Sequence, residues 1–523
     1  MPLSVFDKLS AMQQVVSRAE WAAAGASALL LILSFPDFEF YFLAWIALVP
    51  LLVAIARRPA PATAFILGWA VGSVFFYASC YWLTYSMIHY GGLPTLLAYL
   101  LLIPGALVVG IFPGLFGLLV ALAIRKWGHI SLLLAPVFWT ALEWARLGVT
   151  GQLWNALGYS QAFHSLLIQP AKWGGVYAVS FLILAINSAV ALIMIKRTPW
   201  TIAASSLMAS SVAVVSMGSL FFVPLTDTFL EPYRVNVVAL QPNVPMKAVK
   251  SIEEIKELLE RHWSLSTSAL KGLPDDGLLR LVIWPESPMN FTYASDKAFQ
   301  DQLATFTKEN RTSLLFNSLE PAPPNGFYNS ALLINEEGRL IAQYDKIRLM
   351  PFGEYVPLPQ WLPGASLITG IVGDFTPGDK YTLVPVGKYR AGAFICIESA
   401  YPWIARRLTS EGADVLINIS NDGYLGPTAV MRQHLANAVF RAVENGRSVL
   451  RVTNTGLTAL IRRDGRIEQQ TVPFETDVRV WKISPSFTAN TFYTRHGDVF
   501  VHVCAAITAL VFLAILFSRR RSF

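Results

Sequence analysis

Cysteine and charge are both scarce in this chain of 523 residues: there are three Cys, and charged residues make up 14%. Three cysteines exclude a disulfide-stapled scaffold. So little charge excludes an ordinary water-facing exterior, because hydrophobic residues supply 54% of the chain and the mean hydropathy is +0.47. The same composition excludes a disordered or collagen-like chain. Acidic residues are the scarcer sign, and the net charge is +7. A basic balance can mark a nucleic-acid binder, but the polar region has no dense Lys/Arg stripe with interleaved aromatics, so nucleic acid is set aside as a partner. Internal repeats and low-complexity linkers are also missing.

What charge there is lies mostly in one part. Of the 41 Lys+Arg and 34 Asp+Glu residues, only 15 precede Pro224. A bilayer core of about 30 Å takes about 20 apolar residues per helix. About eight runs of that kind occur, at 21–35, 38–56, 62–88, 93–124, 131–147, 174–195, 200–223 and 499–517. The first reads as a retained helix rather than a signal peptide, since another apolar run follows almost at once and no cleavage site separates them. The fifth carries Glu143 and Arg146, one helical turn apart. They read either as a self-paired structural couple or as groups acting in substrate access. His89, Tyr90 and Trp154 read as interface residues, with Trp154 an anchor at the outer surface.

Basic residues next to spans are held on the cytoplasmic side. Arg57 and Arg58, Arg125 and Lys126, Lys196 and Arg197, and Arg519 to Arg521 each follow an even-numbered run. With Lys8 and Arg18 also inside, both termini are cytoplasmic and the long polar segment is extracytoplasmic. The expected organisation is 1–223 with seven transmembrane helices, 224–498 as a catalytic domain, and 499–523 as an eighth helix with a basic tail.

The polar segment reads as α/β. Short β-branched or apolar runs bounded by turn residues lie at 234–240, 279–284, 313–316, 391–397, 415–419 and 448–452, and a hairpin at 331–344 turns at Glu337-Gly338. Helical patterns lie between them at 252–270, 297–309, 402–410 and 429–445. Stretches rich in Gly, Pro and apolar residues at 358–376, with a second at 486–494, are candidate lids.

Cys80 and Cys504 fall inside predicted spans, which leaves Cys396 alone in its domain. A lone Cys after an apolar run is ordinarily a small buried residue. Here it ends the run Ala391 to Ile395 and precedes a helical stretch from Tyr401, where helix amides and dipole would favour thiolate. Two other strand-end motifs carry groups that complete a nucleophilic site: Trp284-Pro285-Glu286-Ser287-Pro288, and Tyr344-Asp345-Lys346-Ile347-Arg348 running on to Pro351-Phe352-Gly353-Glu354-Tyr355. A carboxylate can take the thiol proton and a lysine can hold a developing oxyanion.

The order Glu286, Lys346, Cys396 resembles the Glu-Lys-Cys triad of the nitrilase superfamily, and the flanking spans narrow the resemblance to the apolipoprotein N-acyltransferase family. It covers nearly the whole chain. Other stretches that carry it are Leu33-Ser34-Phe35-Pro36, Ile88 to Pro94, Glu143-Trp144, Leu157 to Gln161, Gln241 to Pro245, Asn418 to Gly423, Arg441 to Arg447 and Gly497-Asp498. The chain departs from the family pattern at Ile397, where an aromatic is common, at Tyr424 and Leu425, where Trp and Phe are common, and near Lys250, where a Trp often stands.

The resemblance implies a membrane α-helical bundle plus an extracytoplasmic αββα sandwich, acting in lipoprotein maturation at the bacterial inner membrane. Cys396 would attack an acyl ester of a phospholipid, typically phosphatidylethanolamine, and pass the acyl group to the α-amine of a diacylglyceryl apolipoprotein. Glu286 would be the general base and proton donor, Lys346 the oxyanion stabiliser, and Glu354 and Glu398 supporting acids. No cofactor or metal is implied, and the expected state is a monomer. Two other readings differ in class: a membrane-anchored nitrilase-type amidase transferring to water, and a transporter, which should show broken spans paired across two related halves.

Overall fold

The computed structural model describes residues 16–221, 234–246, 250–351, 353–355, 375–484 and 489–518. The chain forms two compact units, one of Met1–Val223, Thr428–Gln433 and His496–Phe523, the other of Pro224–Pro427 and His434–Arg495.

The first unit is helical. Among the described residues six helices are long and apolar enough to cross a membrane: Pro61–Ser79, Thr95–Trp127, His129–Thr150, Ala171–Ile195, Pro199–Ser216 and Val499–Phe517. The first two apolar runs form helices that fall short of a full span. Arg18–Ser34 has 17 residues and starts at a capping box in which Ser17 Oγ accepts from Glu20 N and Glu20 accepts from Ser17 N. The run at 38–56 breaks into a 3₁₀ turn, Tyr41–Trp45, and a nine-residue helix, Val49–Arg57, with Pro50 in its first turn. Nine residues rise only about 14 Å, half a bilayer core. Asn187 fixes this break: its amide donates to Ala44 O and Ile183 O, and its Oδ1 accepts from Leu48 N. Helices Pro61–Ser79 and Thr95–Trp127 approach closely because glycines leave room there; a Cβ on Gly72 would press into the Pro113 ring at 2.6 Å.

The second unit is a two-sheet sandwich. One sheet has the strand order β12-β1-β2-β3-β4-β5 and the other β11-β10-β9-β8-β7-β6. In chain order these are β1 Val235–Gln241, β2 Leu279–Ile283, β3 Ser313–Ala322, β4 Gly326–Ile334, β5 Leu340–Asp345 and β6 Leu383–Val386. They continue as β7 Tyr389–Ile395, β8 Val415–Ser420, β9 Val449–Thr453, β10 Ala459–Ile461, β11 Ile467–Glu468 and β12 Asp477–Ile483. The parallel cores are β1-β2-β3 and β7-β8-β9.

Strand period two sorts the side chains. Val237, Ala239, Leu281, Ile283 and Leu315 of the first sheet pack against Ala391, Ala393, Ile395, Ile417, Ile419, Leu450 and Val452 of the second. The alternate residues Val238, Leu240, Val282, Trp284, Leu314 and Phe316 face outward onto helices Ile252–Lys271 and Lys297–Asn310 through Leu270, Phe299, Leu303 and Phe306. Helix Pro402–Ser410 packs on β7 and β8, giving helix layers outside both sheets.

Candidate active site

Every predicted catalytic and supporting residue lies in the second unit, just past the end of a strand or in the loop after it. Chain leaving β2 passes Pro285 and presents Glu286; chain leaving β5 presents Lys346; chain leaving β7 presents Cys396. Loops beyond the carboxyl ends of strands are free of ladder hydrogen bonds, so their side chains can converge above the sheets.

Lys346 is 1% exposed. Its Nζ lies 2.9 Å from both carboxylate oxygens of Glu354 and 3.4 Å from Glu286 Oε1. Its backbone is pinned as well: Lys346 N donates to Asn329 O, and Lys346 O accepts from Gly378 N, each at 2.8 Å. Burial opposes the ammonium charge, but Glu286 and Glu354 outweigh it and hold the lysine well above its ordinary value. Glu286 Oε2 accepts from Asn421 N at 3.0 Å, and Oε1 accepts from Asn329 Nδ2 at 2.9 Å.

Cys396 is 9% exposed and has φ +51°. That left-handed backbone costs a non-glycine residue roughly 1–3 kcal/mol and is retained only where surroundings impose it. The strand ends at Ile395, and Cys396–Ala400 is a 3₁₀ turn, with helix Pro402–Ser410 beginning only after it. The expectation of a dipole-lowered thiol is therefore reversed. Burial pushes the Cys396 thiol up, and the Glu286 carboxylate adds to this, while Lys346 and the Ser420 hydroxyl pull the other way. A resting thiol of this kind needs a base before it can attack, and the Glu286 carboxylate is the charge that weighs most on it.

Glu398 is fully buried beneath the turn rather than beside the thiol. It accepts from Ile395 N, Ile347 N, Arg348 N and Tyr344 OH at 2.7–3.1 Å. One carboxylate thus ties the chain before Cys396 to the chain after Lys346. Burial pushes it up to about 7 against the pull of the Ile395 and Arg348 amides. Glu354 stands on the other side, against Lys346, and accepts from Met350 N at 2.7 Å and Asn329 Nδ2 at 2.7 Å.

Asn329 is a site residue that motif reading missed. Its Nδ2 bridges Glu286 and Glu354, and its Oδ1 accepts from Asn317 Nδ2 at 2.7 Å. The signal available was a polar side chain on β4, within a strand whose next residues run apolar. Asp422, inside a motif already singled out, is 2% exposed and is held well below the usual carboxylate range because Arg451 and His434 outweigh its burial. A side chain at Gly456 would run into its carboxylate.

In the helical unit, Glu143 and Arg146 are buried but bond different partners. Glu143 Oε1 accepts from Trp139 Nε1 and Leu157 N, and Arg146 donates to Trp154 O at 2.7 Å and stands over the Phe76 ring. Both spend their polarity on the loop 154–157. Trp154 is not the expected surface anchor: it is 6% exposed, because its indole N–H finds Gln433 Oε1 at 2.7 Å and its ring packs on Trp82. His89 stacks on Tyr85, and both His89 and Tyr90 are exposed, as interface residues would be. Of the candidate lids, residues 358–374 and 486–488 lie outside the described residues; Asn490 and Thr491 are tied to Arg447 and to Glu444 O.

Residues 27–189 match the apolipoprotein N-acyltransferase N-terminal domain, and residues 236–492 match carbon-nitrogen hydrolase. An apolipoprotein N-acyltransferase of Geobacter metallireducens is 33% identical over 97% of this chain and 97% of that one. One of Chlorobaculum tepidum is 28% identical over 94% of this chain and 96% of the other. Among solved structures, an amidase of the nitrilase superfamily from Nesterenkonia sp. AN1 matches 52% of this chain and 98% of its own at a TM-score of 0.38 and 15% identity. Saccharomyces cerevisiae Nit3 matches 48% of this chain and 91% of its own at a TM-score of 0.37 and 19% identity. With both domains matched in order and the likeness to the Geobacter relative sustained from end to end, this membrane protein with a carbon-nitrogen hydrolase domain belongs to the apolipoprotein N-acyltransferase family.

Proposed function

We propose that this chain moves an acyl group from a phospholipid to the α-amine of a diacylglyceryl apolipoprotein in two steps through Cys396. The observation that carries it is the convergence of three charged or nucleophilic groups from three strand ends, Glu286 and Lys346 both acting on the charge of the Cys396 thiol. In the first step Glu286 takes the Sγ proton as sulfur bonds to the ester carbonyl carbon. The ammonium of Lys346 stabilises the oxyanion, which it can do because its charge is held by Glu354. Collapse breaks the ester C–O bond, Glu286 returns the proton to the departing lysophospholipid oxygen, and a thioester remains.

In the second step the lipoprotein amine bonds to the thioester carbonyl and gives its proton to Glu286. The C–S bond breaks, an amide forms, and the proton returns to Cys396. Glu354 and Glu398 support the site from opposite sides, one by holding Lys346 and one by holding the turn. The donor we favour is phosphatidylethanolamine and the working state a monomer. Basic residues after the even-numbered runs support cytoplasmic termini and a periplasmic catalytic domain, with boundaries near 223 and 498, in the inner membrane. Transfer rather than hydrolysis is supported by the match at 27–189, which a membrane-anchored amidase does not call for.

The test is mass spectrometry of detergent-purified protein incubated with phosphatidylethanolamine. A hydroxylamine-sensitive acyl group on Cys396 that leaves when a diacylated lipopeptide is added, with the lipopeptide gaining it, is the expected result. Free fatty acid as the sole product would overturn transfer.

A further inference from the structure

Behind the nucleophile runs a second chain of polar contacts that neither step above uses. His434, on helix Val430–Asn445, is 3% exposed. Its Nδ1 lies 2.8 Å from Asp422 Oδ1 and its Nε2 lies 2.9 Å from the main-chain oxygen of Cys396. A carboxylate and a carbonyl are both acceptors, so each ring nitrogen faces an acceptor. Asp422 is oriented in turn: Oδ2 accepts from Arg451 at 2.7 Å and Oδ1 accepts from Ser420 Oγ at 3.0 Å. Arg451, 0% exposed, also donates to Asn418 Oδ1.

A buried chain of charges is expensive, and it earns its place only where it fixes something. This one ends on a single backbone oxygen, that of the residue at φ +51°. The two sides of that strained residue are held by different groups. Before it, Ile395 N donates to Glu398; at it, the carbonyl is gripped by His434. Without the second grip the Cys396–Ile397 peptide could rotate and relax the left-handed turn, carrying Sγ away from Glu286 and Lys346.

We propose that His434 is a positioning residue for acyl transfer: its Nε2–H holds the Cys396 carbonyl, and so the nucleophile turn, while Asp422 and Arg451 orient the ring. The inference rests on Cys396 being the nucleophile. A misplacement of about 1 Å at a reacting atom costs on the order of 100-fold in rate. The loss belongs to kcat rather than KM, because the ring is buried behind the nucleophile turn at 3% exposure.

Two variants separate this role from that of a partner for Asp422. A glutamine at this position can place its amide N–H₂ near the site of Nε2, and an asparagine near the site of Nδ1. Full-length His434→Gln and His434→Asn in detergent are compared for the rate of acylation of Cys396 by phosphatidylethanolamine. They are also compared for iodoacetamide alkylation of Cys396, read by peptide mass spectrometry, and for thermal midpoint. The expected result is that His434→Asn acylates about 100-fold more slowly with KM little changed, while His434→Gln stays within about 10-fold of wild type. Equal losses, or rescue by Asn and not by Gln, would overturn the proposal, since the contact with Asp422 would then be what matters. Should His434→Asn fail to fold, His434→Ala with added imidazole replaces it; recovery of acylation with imidazole supports the role and no recovery opposes it. Wild-type protein that alkylates at Cys396 but never acquires an acyl group would remove the thioester reading alone. The ratio of alkylation rates between the two variants would still decide whether His434 sets the thiol.

Discussion

In the proposed mechanism Cys396 carries the chemistry while other residues hold it, and substitutions should separate these jobs. Cys396→Ala should abolish the hydroxylamine-sensitive adduct with an unchanged thermal midpoint, since it removes one sulfur from a turn held by Glu398 and His434. Glu286→Gln should slow acylation by about 100-fold or more, because in the proposed mechanism the buried thiol then lacks its base. Asn329→Ala removes one of the two donors that Glu286 and Glu354 share, leaving Lys346 alone between them, and acylation should fall by roughly tenfold in a single-turnover assay. None of the roles of Asn329 was legible beforehand. A polar residue on a strand has no motif of its own, and its importance comes from which two loops its amide reaches.

Elements were read more successfully than their ends. Helix Ile252–Lys271 opens on a capping box, Ser251 Oγ accepting from Glu254 N and Glu254 Oε2 from Ser251 N. Ser251→Ala should cost about 1 kcal/mol, seen as a drop of about 2 °C in the thermal midpoint. The same helix buries His262 against Trp284 and Phe291. Burial pushes its imidazole down to about 4 from 6.5, so the neutral ring contributes stability that is full above 6.5 and lost as pH falls toward 4. The loss is on the order of 3 kcal/mol, and His262→Phe should flatten that part of the stability-pH curve. The seven short runs read as strands, the hairpin included, all appear, because buried strands are β-branched or apolar and bounded by turns. Strands β6, β10, β11 and β12 escaped, being short or polar on their exposed side and called into the sheets by their neighbours.

At the scale of the molecule, apolar side chains left bare belong to lipid. Trp200 is 85% exposed, Leu207 70% and Leu510 65%, on helices long enough to span. Leu510→Arg places a charge near the middle of Val499–Ser518 and should cost about 3 kcal/mol of insertion, read as a larger carbonate-extractable fraction. Reporter fusions after Arg58 and within the catalytic domain are expected to report opposite sides of the membrane; signals from one side would overturn the orientation. The second apolar run shows where span counting fails. Composition alone made 38–56 a helix, but Asn187 offers better partners to a broken backbone than a straight helix would have.

By itself the sequence determined the separation of membrane from polar parts, the places of most strands along the chain, and the three motifs whose charged and nucleophilic residues sit past strand ends. Those properties follow from period, run length and local turn chemistry, which act between neighbours in the chain. Only the tertiary structure decided the state of the Cys396 thiol, the bridging by Asn329, the grip of His434 on the nucleophile turn, and the structural employment of Glu143, Arg146 and Trp154. Burial and hydrogen bonding depend on which distant segments meet. A pattern confined to neighbouring residues carries no record of that.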